Sequence, residues 1–272
     1  MVARLPSSSS SKLPGDLPPA IVRLDLAYDG RDFHGWQVQP DQRTVQGELV
    51  RCLRRLILLP GLPPGAGRTD RGVHARGQVA SFPLEDPGQL ERIQRALPHM
   101  LPEDIAVRRI RLAPPGFQAR YSARGRRYRY FLTRRKDPFL RHTHLWVAAP
   151  LDLAAMEKAL DPLLGTHDFT SFCKTASLEE GKTHCTIHRA RWVVEGESLV
   201  FEIVADRFLH SMVRVLVGTL LEIGRGLRPP GAIGSILEAR SRSAAGRTAP
   251  PHGLCLEEVF YDEDRLEEMR RC

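Results

Sequence analysis

From Phe208 to Ile223 the chain is apolar on nearly every side of a helix. A helix of that kind is not a surface element but a buried one, and the rest of the fold has to be built around it. Arg214 lies inside it. A guanidinium in a buried helix needs a partner, so this stretch demands an acceptor from somewhere else in the chain. No apolar run here reaches the length of a membrane span.

The remaining periodicities supply the layers. Val22, Leu24, Leu26 and Tyr28 alternate with Arg23, Asp25 and Ala27, which predicts a half-buried strand. Val45, Leu49, Leu53 and Leu56 repeat at helical spacing, with Thr44 placed as N-cap. Arg51, Arg54 and Arg55 lie off that stripe and read as a solvated face. Gly77 to Phe82 reads as a strand, Leu90, Ile93 and Leu97 as a short helix closed by Pro98, and residues 105–112 as a strand. The Pro/Gly-rich segment 113–125 crosses to a second series. In it Tyr128, Tyr130 and Leu132 share one face of a strand while Arg127 and Arg129 share the other. A helix from about Leu153 to Leu164 follows, then strands marked by Trp192 and Val194 and by Leu199, Phe201 and Ile203, joined at Glu195-Gly196-Glu197. The buried helix, another at Ile233, Ile236 and Leu237, and a last strand from Leu254 to Tyr261 complete the pass. The pattern is mixed α+β, in two parts of similar element order: residues 21–113 and 114–272, after a Ser/Pro-rich tail of residues 1–20 that cannot bury a core.

Chemistry concentrates at Gly67-Arg68-Thr69-Asp70-Arg71-Gly72-Val73-His74-Ala75. Breakers precede it and a strand follows, so Asp70 is presented on a loop entering a sheet. Arg68 and Arg71 flank it and would favour its charged form. A charged aspartate serves as a nucleophile or a base; on local features alone a surface Asp–Arg turn explains the stretch equally well.

The net charge of +8 suits a polyanionic partner, nucleic acid first. The five cysteines are odd in number, far apart and without a CxxC pair, which fits free thiols in a reducing cytosol. Cys173, His184, Cys185 and His188 fit no standard zinc module, and no metal is expected. The spacing from Gly61 to Gly67 is one residue too long for a P-loop, and an arginine replaces its lysine. Asp70 and His74 have no activated serine or cysteine beside them for a hydrolytic triad.

The Asp70 stretch resembles the catalytic motif of the TruA family of tRNA pseudouridine synthases. The resemblance extends through Tyr28-Asp29-Gly30, Phe33-His34-Gly35-Trp36-Gln37 and Thr44-Val45-Gln46-Gly47-Glu48-Leu49. It continues with Phe117 to Ala123, Arg126 to Tyr130, Leu164 to Phe172, Met212-Val213-Arg214, Gly218 to Gly224 and Thr248 to Leu254, all in family order. The departures are Arg71, where a small residue is expected, Leu209-His210-Ser211, where the family is usually basic, and Arg247 in place of proline.

The resemblance implies two α+β halves joined in a continuous, mainly antiparallel sheet with helices on one face and an active-site cleft between the halves. It implies a cytoplasmic homodimer on which tRNA spans both subunits, and conversion of uridine to pseudouridine at positions 38, 39 and 40 of the anticodon stem-loop. Asp70 carries over as nucleophile and Tyr128 as the active-site tyrosine on which the freed base stacks. Arg68 is expected to fill the space of the everted nucleotide or clamp a phosphate, and Arg214 to pair with Asp70 and orient it. The isomerisation imports no group and oxidises nothing, so no cofactor is required. A non-catalytic tRNA-binding or RNA-chaperone protein on the same scaffold is the competing reading.

Overall fold

A computed structural model describes residues 19–174 and 183–262. The expected tail of residues 1–20 therefore lies outside the described residues except for Pro19 and Ala20, as does Cys272. In chain order the elements are β1 (Ala20–Tyr28), α1 (Val45–Leu53), β2 (His74–Leu84), α2 (Leu90–Met100), β3 (Ile105–Ala113), β4 (Gly125–Thr133) and β5 (Leu145–Trp146). They continue with α3 (Leu153–Lys158), β6 (Gly165–Asp168), β7 (His184–Glu195), β8 (Ser198–Ala205), α4 (Met212–Gly224), α5 (Ala232–Ala239) and β9 (Leu254–Phe260).

The strands form one sheet in the order β3-β1-β2-β9-β4-β8-β7-β6, with β5 pairing off β4. β1 runs antiparallel to both neighbours, Leu24 lying opposite Ala80 on β2 and Ile110 on β3. The strands from before residue 114 meet those from after it at β2 and β9, a short parallel contact of His74 with Cys255 and Ala75 with Leu256. β4 is antiparallel to β9 and β8, β8 to β7, and β7 to β6. The expected α+β class and mainly antiparallel sheet are found.

Alternation decides which side of the sheet each residue serves. Val22, Leu24, Leu26 and Tyr28 are buried in the same apolar cluster as Leu49 and Leu53 of α1 and Ile93 and Leu97 of α2. Tyr128, Tyr130 and Leu132 join that cluster together with α4, whose Leu216, Val217 and Leu220 are fully buried. Burial of each such side chain contributes about 2 kcal/mol. The opposite face of β4 and β8 carries Arg127, Arg129 and Glu202 and a small separate cluster of Phe131, Val200 and Cys255.

Local chemistry sets the helix limits. Thr44 has extended backbone and its hydroxyl accepts from Gly47 N–H at 3.2 Å, so it caps α1 as expected. α2 runs past Pro98 to Met100 rather than ending at it. Pro98 has no N–H to give the Gln94 carbonyl, but Leu101 N–H still reaches the Leu97 carbonyl at 3.3 Å, so the last turn closes around it. The helix expected up to Leu164 stops at Lys158, followed by a single tight turn at Asp161–Leu163, because Pro162 cannot continue an α-helical ladder. α4 begins at Met212, four residues after the start of its apolar run, because Ser211 has left-handed backbone with φ 60°. Gly218 lets residues 247–249 lie directly on α4. A Cβ there would stand 1.7 Å from the Arg247 carbonyl oxygen.

Candidate active site

The loop 67–73 has no ladder of its own and is held by its neighbours. Trp36 N–H donates to the Thr69 carbonyl at 3.1 Å and Gly72 N–H to the Phe33 carbonyl at 3.2 Å. Gln78 Nε2 donates to the Gly67 carbonyl at 2.7 Å, and the Tyr28 and Thr69 hydroxyls are 2.8 Å apart. Gly35, at φ +94°, passes so close to this loop that a Cβ would lie 2.6 Å from the Thr69 carbonyl oxygen. The polar loop 29–37 therefore serves as the bed for the Asp70 loop.

Asp70 reaches from that bed to the N-terminus of α4. Its Oδ2 accepts from Arg214 Nη1 at 2.8 Å and from the Ser211 hydroxyl at 2.7 Å. Its Oδ1 faces His210 Nε2 at 3.4 Å. The side chains of Asp70 and Arg214 are each 17% exposed, so the pair is reachable from solvent yet largely screened from it. Arg214 is held in turn: its Nε donates to the Ala249 carbonyl at 2.9 Å, and Ala249 N–H to the Arg214 carbonyl at 3.0 Å. The demand for a partner raised by Arg214 in a buried helix is met by Asp70.

Arg68 and Arg71, expected beside the carboxylate, are exposed, and neither lies within ion-pair distance of Asp70. The chain turns at Arg71-Gly72, with Gly72 at φ +77°, so neighbours in sequence leave the loop on different sides. The cation paired with Asp70 is Arg214 of α4 instead.

Tyr128 is 7% exposed and meets Phe208 edge to face, with ring centroids 5.1 Å apart. A Cβ on Gly67 would lie 3.5 Å from its hydroxyl oxygen, which places that hydroxyl against the Asp70 loop. Burial pushes the Tyr128 hydroxyl above its ordinary value, Tyr28 and Asp70 add to the rise, and Arg126 opposes it. The group is a neutral donor at physiological pH. The structure thus gathers Asp70, Arg214 and Tyr128 and leaves Arg68 exposed on the same loop.

Three residues of this site escape the sequence reading. Arg126 is buried and donates to the carbonyls of Ala66 at 2.8 Å, Arg120 at 2.9 Å and Asp206 at 2.6 Å, which ties the start of the Asp70 loop to the segments on either side. His210 and Ser211 enter the sequence reading only as departures from a motif.

His74 serves as a tie. Gly30 N–H donates to its Nδ1 at 3.1 Å, and its Nε2 faces the carbonyls of His142 at 2.9 Å and His252 at 3.1 Å, so Nε2 carries a hydrogen. A cavity of about 330 Å³ lies beside it, lined by Asp29, Arg76, Phe131, His144 and Cys255. It includes neither Asp70 nor Tyr128. Among the described residues no cluster of three metal-ligating side chains occurs, and no helix is long and apolar enough to cross a membrane. Cys52, Cys173, Cys185 and Cys255 are free and buried.

Comparison with known proteins agrees with the geometry. A family model described as tRNA pseudouridine synthase matches residues 159–262. Proteins named tRNA pseudouridine synthase A are similar over nearly the whole chain. The Bacillus subtilis protein is 44% identical over 247 residues, covering 89% of this chain and 99% of its own length. That of Moorella thermoacetica is 46% identical over 244 residues, covering 88% and 99%. That of Exiguobacterium sibiricum is 43% identical over 243 residues, covering 89% and 97%. With that likeness running through the Asp70 loop, β4 and α4 alike, the chain belongs to the tRNA pseudouridine synthase family of enzymes.

Proposed function

We propose that this protein converts uridine to pseudouridine in tRNA, at positions 38, 39 and 40 of the anticodon stem-loop, with Asp70 as the nucleophile. The observation that carries the reading is the Asp70 carboxylate held by Arg214 at the N-terminus of a buried helix, with the Tyr128 hydroxyl against the same loop.

The reaction breaks the N1–C1′ bond, forms a C5–C1′ bond, releases the C5 hydrogen as a proton and returns a proton to N1. It is an isomerisation, so the groups required are a nucleophile, a platform for the freed base and a proton carrier. Asp70 attacks as the carboxylate. Arg214 orients it. Tyr128 stacks the base, worth about 1–3 kcal/mol, and its neutral hydroxyl stands ready at C5. The target uridine is shielded in a stacked helix and must be everted. Arg68, exposed at the mouth, takes the vacated space or a neighbouring phosphate.

We further propose that the protein works in the cytoplasm as a homodimer, with tRNA spanning both subunits.

The test is incubation of purified protein with unmodified tRNA, wild type against Asp70→Asn, with pseudouridine mapped by position. Wild-type turnover at the anticodon arm, with an Asp70→Asn protein that binds tRNA but forms no product, supports the reading. Binding by both with turnover by neither leaves the non-catalytic RNA-binding protein instead.

A further inference from the structure

Ser211 occupies the N-cap position of α4 but does not cap it. A capping serine has extended backbone and accepts a hydrogen bond from the first turn of its helix. Ser211 has φ 60° and ψ 9° and makes no such bond. Its hydroxyl donates to Asp70 Oδ2 at 2.7 Å, where Arg214 Nη1 already donates at 2.8 Å. Left-handed backbone is unfavourable for a residue with a Cβ. The conformation turns the hydroxyl away from the helix and toward the carboxylate.

The two oxygens of Asp70 are therefore not equivalent. Oδ2 holds two donors and has its lone pairs engaged. Oδ1 receives no hydrogen bond from any described residue; His210 Nε2, on an exposed side chain, stands 3.4 Å from it. Attack through Oδ2 would require both donors to leave. Attack through Oδ1 requires neither to move, because Oδ2 then becomes the carbonyl oxygen of the new ester and keeps the same two hydrogen bonds. Donors already in place before and after the step cost no reorganisation during it.

We propose that Ser211 is a positioning residue that commits Oδ2 and leaves Oδ1 as the attacking oxygen. This rests on the reading of Asp70 as the nucleophile. An Oδ1 lone pair forms the C–O bond. If the acceptor is C1′, the N1–C1′ pair departs on the uracil, and attack by C5 later returns the C–O pair to Asp70. If it is C6, the C5=C6 pair shifts toward O4, the N1–C1′ pair departs onto the uracil, C5 attacks C1′, and breaking the C6–O bond returns its pair to Asp70. Either route restores the carboxylate and consumes no other reactant.

The test compares turnover and tRNA binding for two substitutions at one position. Ser211→Gly suits φ 60° and removes the hydroxyl. Ser211→Asn also tolerates left-handed backbone and keeps an N–H donor. Ser211→Gly is expected to lower kcat about 10- to 100-fold, the loss of one hydrogen bond to a charged group. KM for tRNA should stay within about twofold and Ser211→Asn should recover kcat to within about fivefold. Wild-type kcat in Ser211→Gly overturns the proposal, as does a loss that Ser211→Asn fails to restore or that appears equally in KM. Asp70→Asn, assayed in parallel, separates the two levels. If it retains turnover, the nucleophile reading fails and the positioning role falls with it. If it is inactive while Ser211→Gly turns over normally, only the positioning role falls.

Discussion

Arg214 Nη1 and Asp70 Oδ2 lie 2.8 Å apart although 144 positions separate them in the chain. The pair ties the loop after the bed of residues 29–37 to the helix that the rest of the protein encloses. Its two members are held independently, Asp70 by a loop stitched to β1 and β2 and Arg214 by the Ala249 carbonyl. The geometry of the Asp70–Arg214 pair therefore depends on how well those two supports stay in register.

Arg214→Lys tests the pair. One ammonium cannot serve the Ala249 carbonyl and Asp70 together in the geometry of a planar guanidinium. We expect kcat to fall about 100-fold or more while tRNA affinity is largely kept. Single-turnover rates with a parallel binding titration check this, and an unchanged rate would remove Arg214 from the site.

Gly218→Ala tests the second support without touching a charged group. The new Cβ would be 1.7 Å from the Arg247 carbonyl, so residues 247–249 must lift from α4 and take Ala249 with them. We expect a stability loss of about 2 kcal/mol or more and a drop in turnover that exceeds what unfolding accounts for. Urea unfolding and activity measured on the same preparation separate the two.

Arg126→Met removes donors from the buried carbonyl of Ala66 and from the partly buried ones of Arg120 and Asp206. Methionine keeps the apolar stem and leaves those oxygens unsatisfied, a cost of about 3 kcal/mol. A denaturation midpoint equal to wild type would contradict this account of Arg126.

The basic balance of the chain predicts how tRNA binding responds to salt. Arginine–phosphate contacts release counterions, so log K should fall linearly with log salt, with a slope near −0.9 per phosphate contacted in a duplex stem, as an approximate rule. A flat response in filter-binding titrations would rule out a basic groove as the RNA contact.

Stability should depend on pH through His144 and His252. Burial lowers both below the ordinary 6.5, with Arg76 adding for His144 and His74 for His252. The unfolded chain then takes up protons more readily than the folded one. Stability is full above 6.5 and is lost as pH falls from there through the folded values. Urea midpoints should drop as pH falls below 6.5, and the double substitution His144→Gln and His252→Gln should flatten that slope.

What the sequence determined by itself is local. The alternation in β1, the Thr44 cap and the faces of β4 follow from period-two and 3.6-residue geometry, which the backbone imposes wherever the chain lies. The buried character of α4 followed from its apolar surface, and with it the demand that Arg214 find a partner. The breaker-flanked loop marked Asp70. Adjacency was misleading where it replaced geometry, because Arg68 and Arg71 stand beside Asp70 in sequence and apart from it in space. Only the tertiary structure decided that Arg214 and Ser211 share one carboxylate oxygen, that Arg126 closes three carbonyls, and that Gly218 admits a neighbouring backbone. These contacts join distant segments, and they exist because burying one helix forces those segments against it at a fixed depth and angle.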